Sequence, residues 1–491
     1  MMNTIKPLKS VSSLLMLLMV LAGCSVAPTY ERPEVSTPAA FKEAATAQAN
    51  TAWKEAQPSE DMARGEWWKI FGDASLNDLE AQAQTANQSL KAAAARLKQS
   101  RALRQDARSE LFPQINAGLG ASRGRPSPVS QGLPDNTPVP TGNTFSGTLG
   151  ASYELDLFGR VASTVNAANA DTQQSEALFQ SIRLALQADV AQAYFLLREL
   201  DAEQALFSGT VELRLQTLKL VQRRFDEGDI SELDLARAKA ELASAQADSL
   251  GVARTRATAE HALAILLGKA PAEFDFAPRP LSRIAVSIPA GLPSSLLERR
   301  PDIAAAERGM AAANARIGVA RSAFFPRLDI TGAFGFESAG LGELFNWSSR
   351  TFLLGPLLSM PLFDGGRRQA GVDKARAVYE EDVANYRQTV LNAFKEVEDN
   401  LADLRILGDQ TRAQDDAVQA AERAAKLSHI QYRQGSVSYL NVIDADRTVL
   451  QQQRSAAQLD GARAKSAVSL IRAIGGGWSA TPAVDTVAKA D

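Results

Sequence analysis

Few side chains in this 491-residue sequence are of the types that usually carry out catalysis or bind metals. The chain has two histidines, His261 and His429, and one cysteine, Cys24. That supply is too small for a disulfide framework, a thiolate metal cluster or a histidine-based catalytic apparatus. Acidic residues number 56 against 53 basic ones, so the basic surface of a nucleic-acid-binding protein is also missing. We therefore predict that the protein is not an enzyme, binds no metal or other cofactor and has no nucleic-acid partner.

Cys24 stands at the end of an N-terminal export segment, residues 1–23. Two lysines precede an apolar run at 12–21, well under the roughly 20 residues that a spanning helix needs. Residues 21–24 read Leu-Ala-Gly-Cys, which is typical of the processing site of bacterial lipoproteins. We predict that Cys24 carries N-acyl and S-diacylglycerol groups, and Ser25 after it favours sorting to the outer membrane.

Two charged groups could be mistaken for catalytic sites. Arg299, Arg300 and Asp302 lie around Pro301, and we expect them to fix the start of a helix by ion pairing and capping. Asp444 and Arg447 are three residues apart, and spacing alone favours an ordinary ion pair on a helix surface.

The elements that hold these residues form a tandem repeat. Leu111-Phe112-Pro113 returns as Phe324-Phe325-Pro326, and Phe225-Asp226-Glu227-Gly228 returns as Tyr432-Arg433-Gln434-Gly435. These matches place repeat 1 at 66–275 and repeat 2 at 301–478. A connector at 276–300 joins them, an anchor or linker at 24–65 precedes them, and a tail at 479–491 follows.

Each repeat contains a proline-free tract rich in alanine, glutamine, leucine and arginine, which favour helices. Long helices are predicted at 161–270 and 366–474, with apolar residues stepping by three and four as in a coiled coil. Three such seams are evident: Leu186, Val190, Ala193, Leu197 and Leu200; Val390, Phe394, Val397, Leu401 and Leu404; and Leu233, Ala236, Ala240, Ala243, Ala247 and Leu250.

Before its helices each repeat has two segments in which apolar and polar residues alternate. Strands are predicted at 114–123, 144–155, 326–338 and 351–363, although Pro356 fits poorly in the last one. Each is about as long as a tilted strand that crosses a bilayer, and one face of each is uncharged. Spanning barrels start at about eight strands, so four strands require two or three copies of the chain.

Several longer motifs resemble those of the TolC-type outer-membrane efflux proteins, specifically the NodT-family lipoproteins. The matching motifs are Gly23-Cys24-Ser25 with Pro28-x-Tyr30-x-Arg32-Pro33, Trp67-Trp68-x-x-Phe71-x-Asp73-x-x-Leu76, Tyr153-x-Leu155-Asp156-Leu157-Phe158-Gly159-Arg160, and Leu292-Pro293-Ser294-x-Leu296-Leu297-x-Arg299-Arg300-Pro301-Asp302-Ile303. The resemblance implies an α+β membrane protein that forms a homotrimer. Its twelve-stranded outer-membrane β-barrel, four strands per chain, would continue into a long periplasmic α-helical barrel.

The resemblance also implies a function and its sites. The protein would be a passive conduit for drugs or other toxic small molecules in a tripartite pump. Its partners would be a periplasmic adaptor, also called a membrane fusion protein, an inner-membrane resistance-nodulation-division transporter and outer-membrane lipid. The adaptor would dock at helix tips formed by Phe225, Gly228, Leu233, Asp234, Tyr432 and Gly435. A periplasmic gate would contain Leu440, Asp444 and Arg447, whereas Asn441 replaces a second aspartate found in related channels.

Other functions remain open at this point. The same architecture could export metal ions or proteins, although seven methionines and two histidines supply few ligands for a metal route. A periplasmic coiled-coil scaffold lipoprotein is a different class, and the four alternating segments argue against it because a scaffold has no use for them.

Overall fold

The structure is a computed structural model that describes residues 26–43, 65–282 and 299–476. After a first short helix, its regular elements follow the order helix, strand, strand, long helix, shorter helix, and then repeat that order. They are α1 (Ala74–Ala86), α2 (Gln88–Ser109), β1 (Gln114–Gly124), β2 (Gly142–Leu155), α3 (Arg160–Asp226), α4 (Glu232–Leu266), α5 (Pro301–Ser322), β3 (Arg327–Ser338), β4 (Arg350–Ser359), α6 (Arg367–Arg433) and α7 (Tyr439–Ala473). The predicted α+β class is confirmed.

The two halves match in length as well as in order. Helices α3 and α6 have 67 residues each. Helices α4 and α7 have 35 residues each, and α2 and α5 have 22 residues each. At 1.5 Å per residue, the two longest helices extend over about 100 Å each.

The chain divides into two compact units. The first contains Leu97–Ser175 and Ala305–Tyr386 with the segment up to Glu34, and it therefore holds all four strands. The second contains Val35–Arg96, Glu176–Ala304 and the chain from Arg387 onward, and it holds α1, α4, α7 and the greater part of α3 and α6.

The four strands form one antiparallel sheet in the order β1-β2-β3-β4. Leu149 lies opposite Ala117 on one side and Phe334 on the other, and Phe334 lies opposite Phe352. Since side chains alternate between faces, this register places the apolar sets of all four strands on the same face. The alternating apolar residues predicted in the four strands therefore form one continuous apolar surface.

The last strand is shorter than predicted, because it ends at Ser359 and not at 363. Ser359 pairs with Arg327, the first residue of β3, so β3 offers no partner beyond that point. The Asp364 carboxylate then accepts hydrogen bonds from the Gly366 and Arg368 amides, both 3.1 Å, and starts α6. Pro356, which fitted poorly in the pattern, pairs with Ile330 in a strand at the edge of the sheet, where proline is tolerated.

Charged side chains fasten β2 to the helix that follows it. The Arg160 guanidinium at the start of α3 donates to Glu154 at 2.7 Å and to Glu110 at 2.8 Å. The Asp156 carboxylate accepts from the Ala162 amide at 2.7 Å and satisfies one of the free N–H groups of the first turn.

The core of the second unit is built around the part of α3 where a seam was predicted. Leu186, Val190, Leu197 and Leu200 are buried there together with Trp67 and Trp68, Leu76 and Leu79 of α1, and Leu263 of α4. This seam is confirmed. Among the described residues, no helix is both long enough and apolar enough to cross a membrane.

The seam predicted on α4 is not buried within one chain, so its role in packing stays a prediction. Leu233 and Leu250 are exposed, and so are the alanines between them. The buried face of α4 instead carries Leu235, Ala238 and Val252. Because both faces have apolar residues at helical spacing, the sequence could not indicate which of them the chain itself would cover.

The Arg300 cluster has the structural role predicted for it. The buried guanidinium makes two bonds to the Asp302 carboxylate, at 2.6 and 3.0 Å, and a third to Glu396 at 2.6 Å. The Asp302 carboxylate in turn accepts from the Ile303 amide at 3.0 Å in the first turn of α5.

Glu80 of α1 is a completely buried polar side chain in this core. Neither of its carboxylate oxygens has a hydrogen-bond partner within the described part of the chain. Burial alone raises its pKa to about 9, so the side chain is neutral at ordinary pH. A carboxyl group that is neutral when folded and ionised when unfolded makes stability depend on pH.

We expect the folded state to lose stability as pH rises from about 4.5, the unfolded pKa, to about 9, the folded one. Glu80→Gln keeps the neutral shape and should flatten this dependence, with a higher melting temperature than wild type at pH 8. Thermal unfolding of the detergent-extracted protein at pH 5, 7 and 9 measures the effect. The exposed neighbour Asp78→Asn is the matched control, and an equal change in both variants would contradict the argument.

Candidate functional site

The first candidate tip is the turn between α3 and α4. Gly228 has φ +82°, a left-handed conformation that favours glycine. Its amide donates to the Phe225 carbonyl at 2.9 Å, and the Asp229 amide donates to the Arg224 carbonyl at 2.9 Å, which closes the end of α3. Ser231 then precedes α4 in extended conformation, with its hydroxyl 3.3 Å from Asp234.

The second tip, between α6 and α7, has the same construction. Gly435 has φ +70°, its amide donates to the Tyr432 carbonyl at 3.0 Å, and the Ser436 amide donates to the Gln431 carbonyl at 2.9 Å. Ser438 takes the place of Ser231, and its hydroxyl lies 2.8 Å from Asn441. The two glycines predicted to end these helices therefore do so by one mechanism.

A small apolar cluster holds the two tips together. Its buried members are Val221, Leu235, Ala238, Tyr439, Val442 and Ile443, with Phe225 and Tyr432 packed against them. The rings of Tyr432 and Tyr439 are 5.6 Å apart, and Arg224 lies over the Tyr432 ring at 5.5 Å. Burial raises the pKa of Tyr439 to about 12, so its hydroxyl stays protonated in this core.

The six residues predicted for adaptor docking therefore have different surroundings. Phe225 and Tyr432 pack against the tip cluster, and Gly228 and Gly435 shape the turns. Leu233 projects into solvent, and Asp234 lies 3.5 Å from Arg237 on the same helix. Their role in docking stays a prediction.

The three predicted gate residues lie on the exposed side of α7, just beyond the second tip. Leu440, Asp444 and Arg447 are all exposed, as their spacing of four and three requires. The ion pair that spacing suggested between Asp444 and Arg447 does not form. Arg447 instead binds Glu241 of α4, while Asp444 has no ion-pair partner among the described residues.

Arg447 is the outer member of an ionic network that the sequence did not indicate. Glu241 also lies 3.7 Å from Arg214 of α3, and Arg214 donates to Asp446 at 2.9 Å. His429 of α6 completes the network through Nε2, 2.8 Å from Asp446. Four helices of the second unit thus meet through five charged or titratable side chains.

No signal within the sequence could have found this network. Its members come from four separate helices, and each one alone resembles an ordinary surface charge on a long helix. Burial of Arg214 and Glu241 identifies them, and burial depends on how the helices pack.

Cys24, the predicted lipidation site, lies outside the described residues, as does most of the predicted connector at 276–300. The described chain just after Cys24 is held along α5. The Asn314 side chain donates to the Pro28 carbonyl at 2.9 Å, and the Tyr30 hydroxyl donates to Glu307 at 2.7 Å.

Comparison with known proteins shows the same two-part organisation. A family model described as "Outer membrane efflux protein" matches residues 79–269 and 292–476. The probable efflux pump outer membrane protein TtgC of Pseudomonas putida is 35% identical over 486 residues, which is 96% of each chain. The cation efflux system protein CusC of Escherichia coli is 32% identical over 464 residues, 94% of this chain and 97% of CusC.

Solved structures agree with these relatives. The outer-membrane channel OprN superposes with a TM-score of 0.83 at 31% identity, over 93% of this chain and 100% of that one. The sheet, the paired long helices and the duplicated order of elements are thus those of a known kind of channel. The chain belongs to the outer membrane efflux protein family, of the TolC type, and is an outer-membrane channel component of an efflux system.

Proposed function

We propose that this protein is the passive outer-membrane channel through which a tripartite pump exports toxic organic compounds. An inner-membrane resistance-nodulation-division transporter would supply the energy, and a periplasmic adaptor would connect the transporter to the helix tips. The pair of tips carries this proposal, because each is closed by a glycine in the left-handed conformation, Gly228 or Gly435, and Leu233 beside the first turn is exposed. Similarity to the toluene efflux pump outer membrane protein TtgC of another Pseudomonas putida strain, 35% identical, and to the solvent efflux pump outer membrane protein SrpC of Pseudomonas putida, 36% identical, supports the organic substrate class.

The conduit requires three copies of the chain. The sheet has two open edges, β1 and β4, whose free N–H and C=O groups would have no water to bind inside a bilayer. Twelve strands from three copies would close a barrel wide enough for a channel, and the edges would then disappear. The exposed apolar face of α4 beyond the tip, from Ala236 to Leu250, would likewise be covered by a neighbouring copy, whereas Leu233 at the tip would stay free.

The proposed lipid on Cys24 would add a second attachment to the membrane. The cysteine ends an export segment of lipoprotein type, and it is the only cysteine in the chain. Acyl chains contribute about 0.8 kcal/mol for each buried CH₂ group, so several chains together anchor a protein stably.

Native mass spectrometry of the detergent-extracted protein should give a single trimeric species. The denatured subunit should carry the added mass of acyl and diacylglycerol groups, and Cys24→Ser should lack that mass. A monodisperse monomer or dimer would disprove the three-copy channel. A trimer of unmodified subunits would disprove only the lipid.

The gate proposal depends on two ion pairs of different strength. Arg214 and Asp446 expose only 3% and 9% of their side chains, whereas Arg447 exposes 62%. Glu241 exposes only 10%, but it keeps Arg214 at 3.7 Å as a second partner when Arg447 leaves. Removing one partner of a buried pair costs about 3–5 kcal/mol and an exposed pair is worth only about 0–1 kcal/mol, so the half-exposed Arg447–Glu241 pair is the weaker of the two. The Arg447–Glu241 contact is therefore the one that can open, while Arg214 keeps α3 and α7 together.

In a trimer the gate residues would form three stacked rings around the pore. Leu440 would supply an apolar constriction, Asp444 a ring of three carboxylates and Arg447 a ring of three guanidiniums. Adaptor binding at the tips would favour an open state in which Arg447 has left Glu241.

Asp444→Ala combined with Arg447→Ala should hold the gate open more of the time. A loss of about 1 kcal/mol in each of three copies shifts the equilibrium between closed and open states by roughly a hundredfold. Conductance in planar bilayers should rise markedly, and cells should admit large antibiotics that the outer membrane excludes. Asp409→Ala with Arg412→Ala removes an exposed acidic and an exposed basic side chain at the same spacing on α6 and is the control. Wild-type conductance in a correctly inserted trimer would refute the gate.

A second candidate function is the export of metal cations, which is the role named for the relative CusC. Cation routes usually offer soft or imidazole ligands, and this chain has seven methionines and two histidines in 491 residues. Organic compounds are therefore the better proposal.

Deleting the gene should make cells more sensitive to several unrelated organic toxins, with little change for copper or silver salts. Leu233→Asp places a charge on an exposed tip residue, so the chain should fold and insert but fail to restore resistance or to cross-link to the adaptor. Ile265→Asp, exposed at the other end of α4, should restore both. Selective metal sensitivity would instead support the cation channel.

A further inference from the structure

The pairing between the two halves of the sheet within one chain provides a template for the strand pairing between copies. Within one chain, the two halves meet where β2 of the first half pairs with β3 of the second. In an assembly of several copies, β4 of one chain would meet β1 of the next, and β4 and β1 are the counterparts of β2 and β3. This argument rests on the three-copy assembly proposed above and specifies how its edges join.

The counterparts can be assigned residue by residue. Strands β1 and β3 begin at Gln114 and Arg327, and this same displacement along the chain relates Ala117 to Ile330. Ala117 pairs with Leu149 in the first half, and Ile330 pairs with Pro356 in the second. Pro356 is therefore the counterpart of Leu149.

The long helices give the same assignment independently. Helix α3 begins at Arg160 and helix α6 at Arg367, and the displacement between these two residues equals the displacement between Leu149 and Pro356. One displacement along the chain therefore relates both β2 to β4 and α3 to α6.

We propose that β4 pairs with β1 of the neighbouring copy in the register that β2 and β3 use within the chain. The pair Ser152 and Thr331 within the chain then has a counterpart between copies, in which Ser359 lies opposite Gly118 of the next copy. The pair Ala151 and Gly332 likewise has the counterpart Leu358 opposite Leu119 of the next copy. The same stagger would then recur at all six strand pairs that join one half to the next, namely three β2–β3 pairs within chains and three β4–β1 pairs between copies. A uniform stagger is what lets a barrel close.

The chemistry of the two edges supports this register. It places Leu354, Pro356 and Leu358 of β4 on the same face as Ala117, Leu119 and Ala121 of β1, so the apolar surface would continue unbroken between copies. A slip of one residue would turn one of these sets toward water.

The proposed register also gives a partner to an unusual exposed side chain. Leu362 lies just beyond the end of β4 and is 87% exposed. The pair Leu155 and Leu328 becomes Leu362 opposite Ile115 of the next copy, and Ile115 is exposed as well. Pairing between copies would thus extend β4 past Ser359, where β3 of its own chain has already ended.

Cysteine cross-linking of the full-length trimer tests the register. Ser359→Cys with Gly118→Cys puts both thiols on the polar face, where an oxidant in water can reach them. A Cβ at Gly118 would lie 3.5 Å from the Thr148 hydroxyl, an ordinary contact, so the strand should accept the change. Gly355→Cys with Ser122→Cys, the counterparts of Thr148 and Gly335, is a second pair in case the first does not fold.

The matched comparisons join Ser359→Cys to Asn116→Cys or to Gly120→Cys. These partners are on the same face but two residues away, about 7 Å along the strand, which exceeds the reach of a disulfide. We expect the Gly118 pair to give covalent trimers on non-reducing gels in several-fold higher yield than either comparison, and to lose them on reduction.

Three results would overturn the inference. Stronger cross-linking of the Asn116 or Gly120 pair would show a different register. Absence of cross-links in both designed pairs, in a protein that native mass spectrometry shows to be trimeric, would disprove the register while leaving the channel intact. A protein that is monomeric in native mass spectrometry would overturn the three-copy assembly and this inference together.

Discussion

Backbone hydrogen bonding at the sheet edges is the constraint on which this structure depends. Four antiparallel strands satisfy one another internally, but β1 and β4 each keep one row of free N–H and C=O groups. Water would satisfy those groups in a soluble protein, whereas the hydrocarbon interior of a membrane cannot. A chain of this kind therefore completes its fold only with copies of itself, and the exposed apolar face of α4 has the same need.

The duplication explains how one chain can supply so large an assembly. Each half provides two strands and one pair of long helices, and each ends its hairpin with the same glycine turn at Gly228 or Gly435. Asp444 corresponds to Arg237 and Arg447 to Ala240, so the first half does not repeat the charges proposed for the gate. A pore lined by three copies would therefore have a gate of threefold symmetry on a scaffold of nearly sixfold symmetry.

The helix tips combine rigid and releasable contacts. Packing of Tyr432 on Tyr439 and the buried Arg214–Asp446 pair fix the hairpins to each other. The contact of Arg447 with Glu241 joins α7 to α4, and solvent screens it on the exposed Arg447 side. Under the proposed gate, a partner that binds the tips would need to supply only enough free energy to break this contact.

The sequence by itself determined the strands, the long helices, the two turns and the family, because each has a local signal: alternation, helical spacing, glycine or a motif. It also placed Leu440, Asp444 and Arg447 on one exposed helix face. Only the tertiary structure decided that Arg447 binds Glu241, that α4 buries Leu235 and exposes Leu233, and that β4 stops at Ser359. These outcomes depend on which helix or strand lies alongside, and contacts between residues far apart in the chain leave no periodic trace in the sequence.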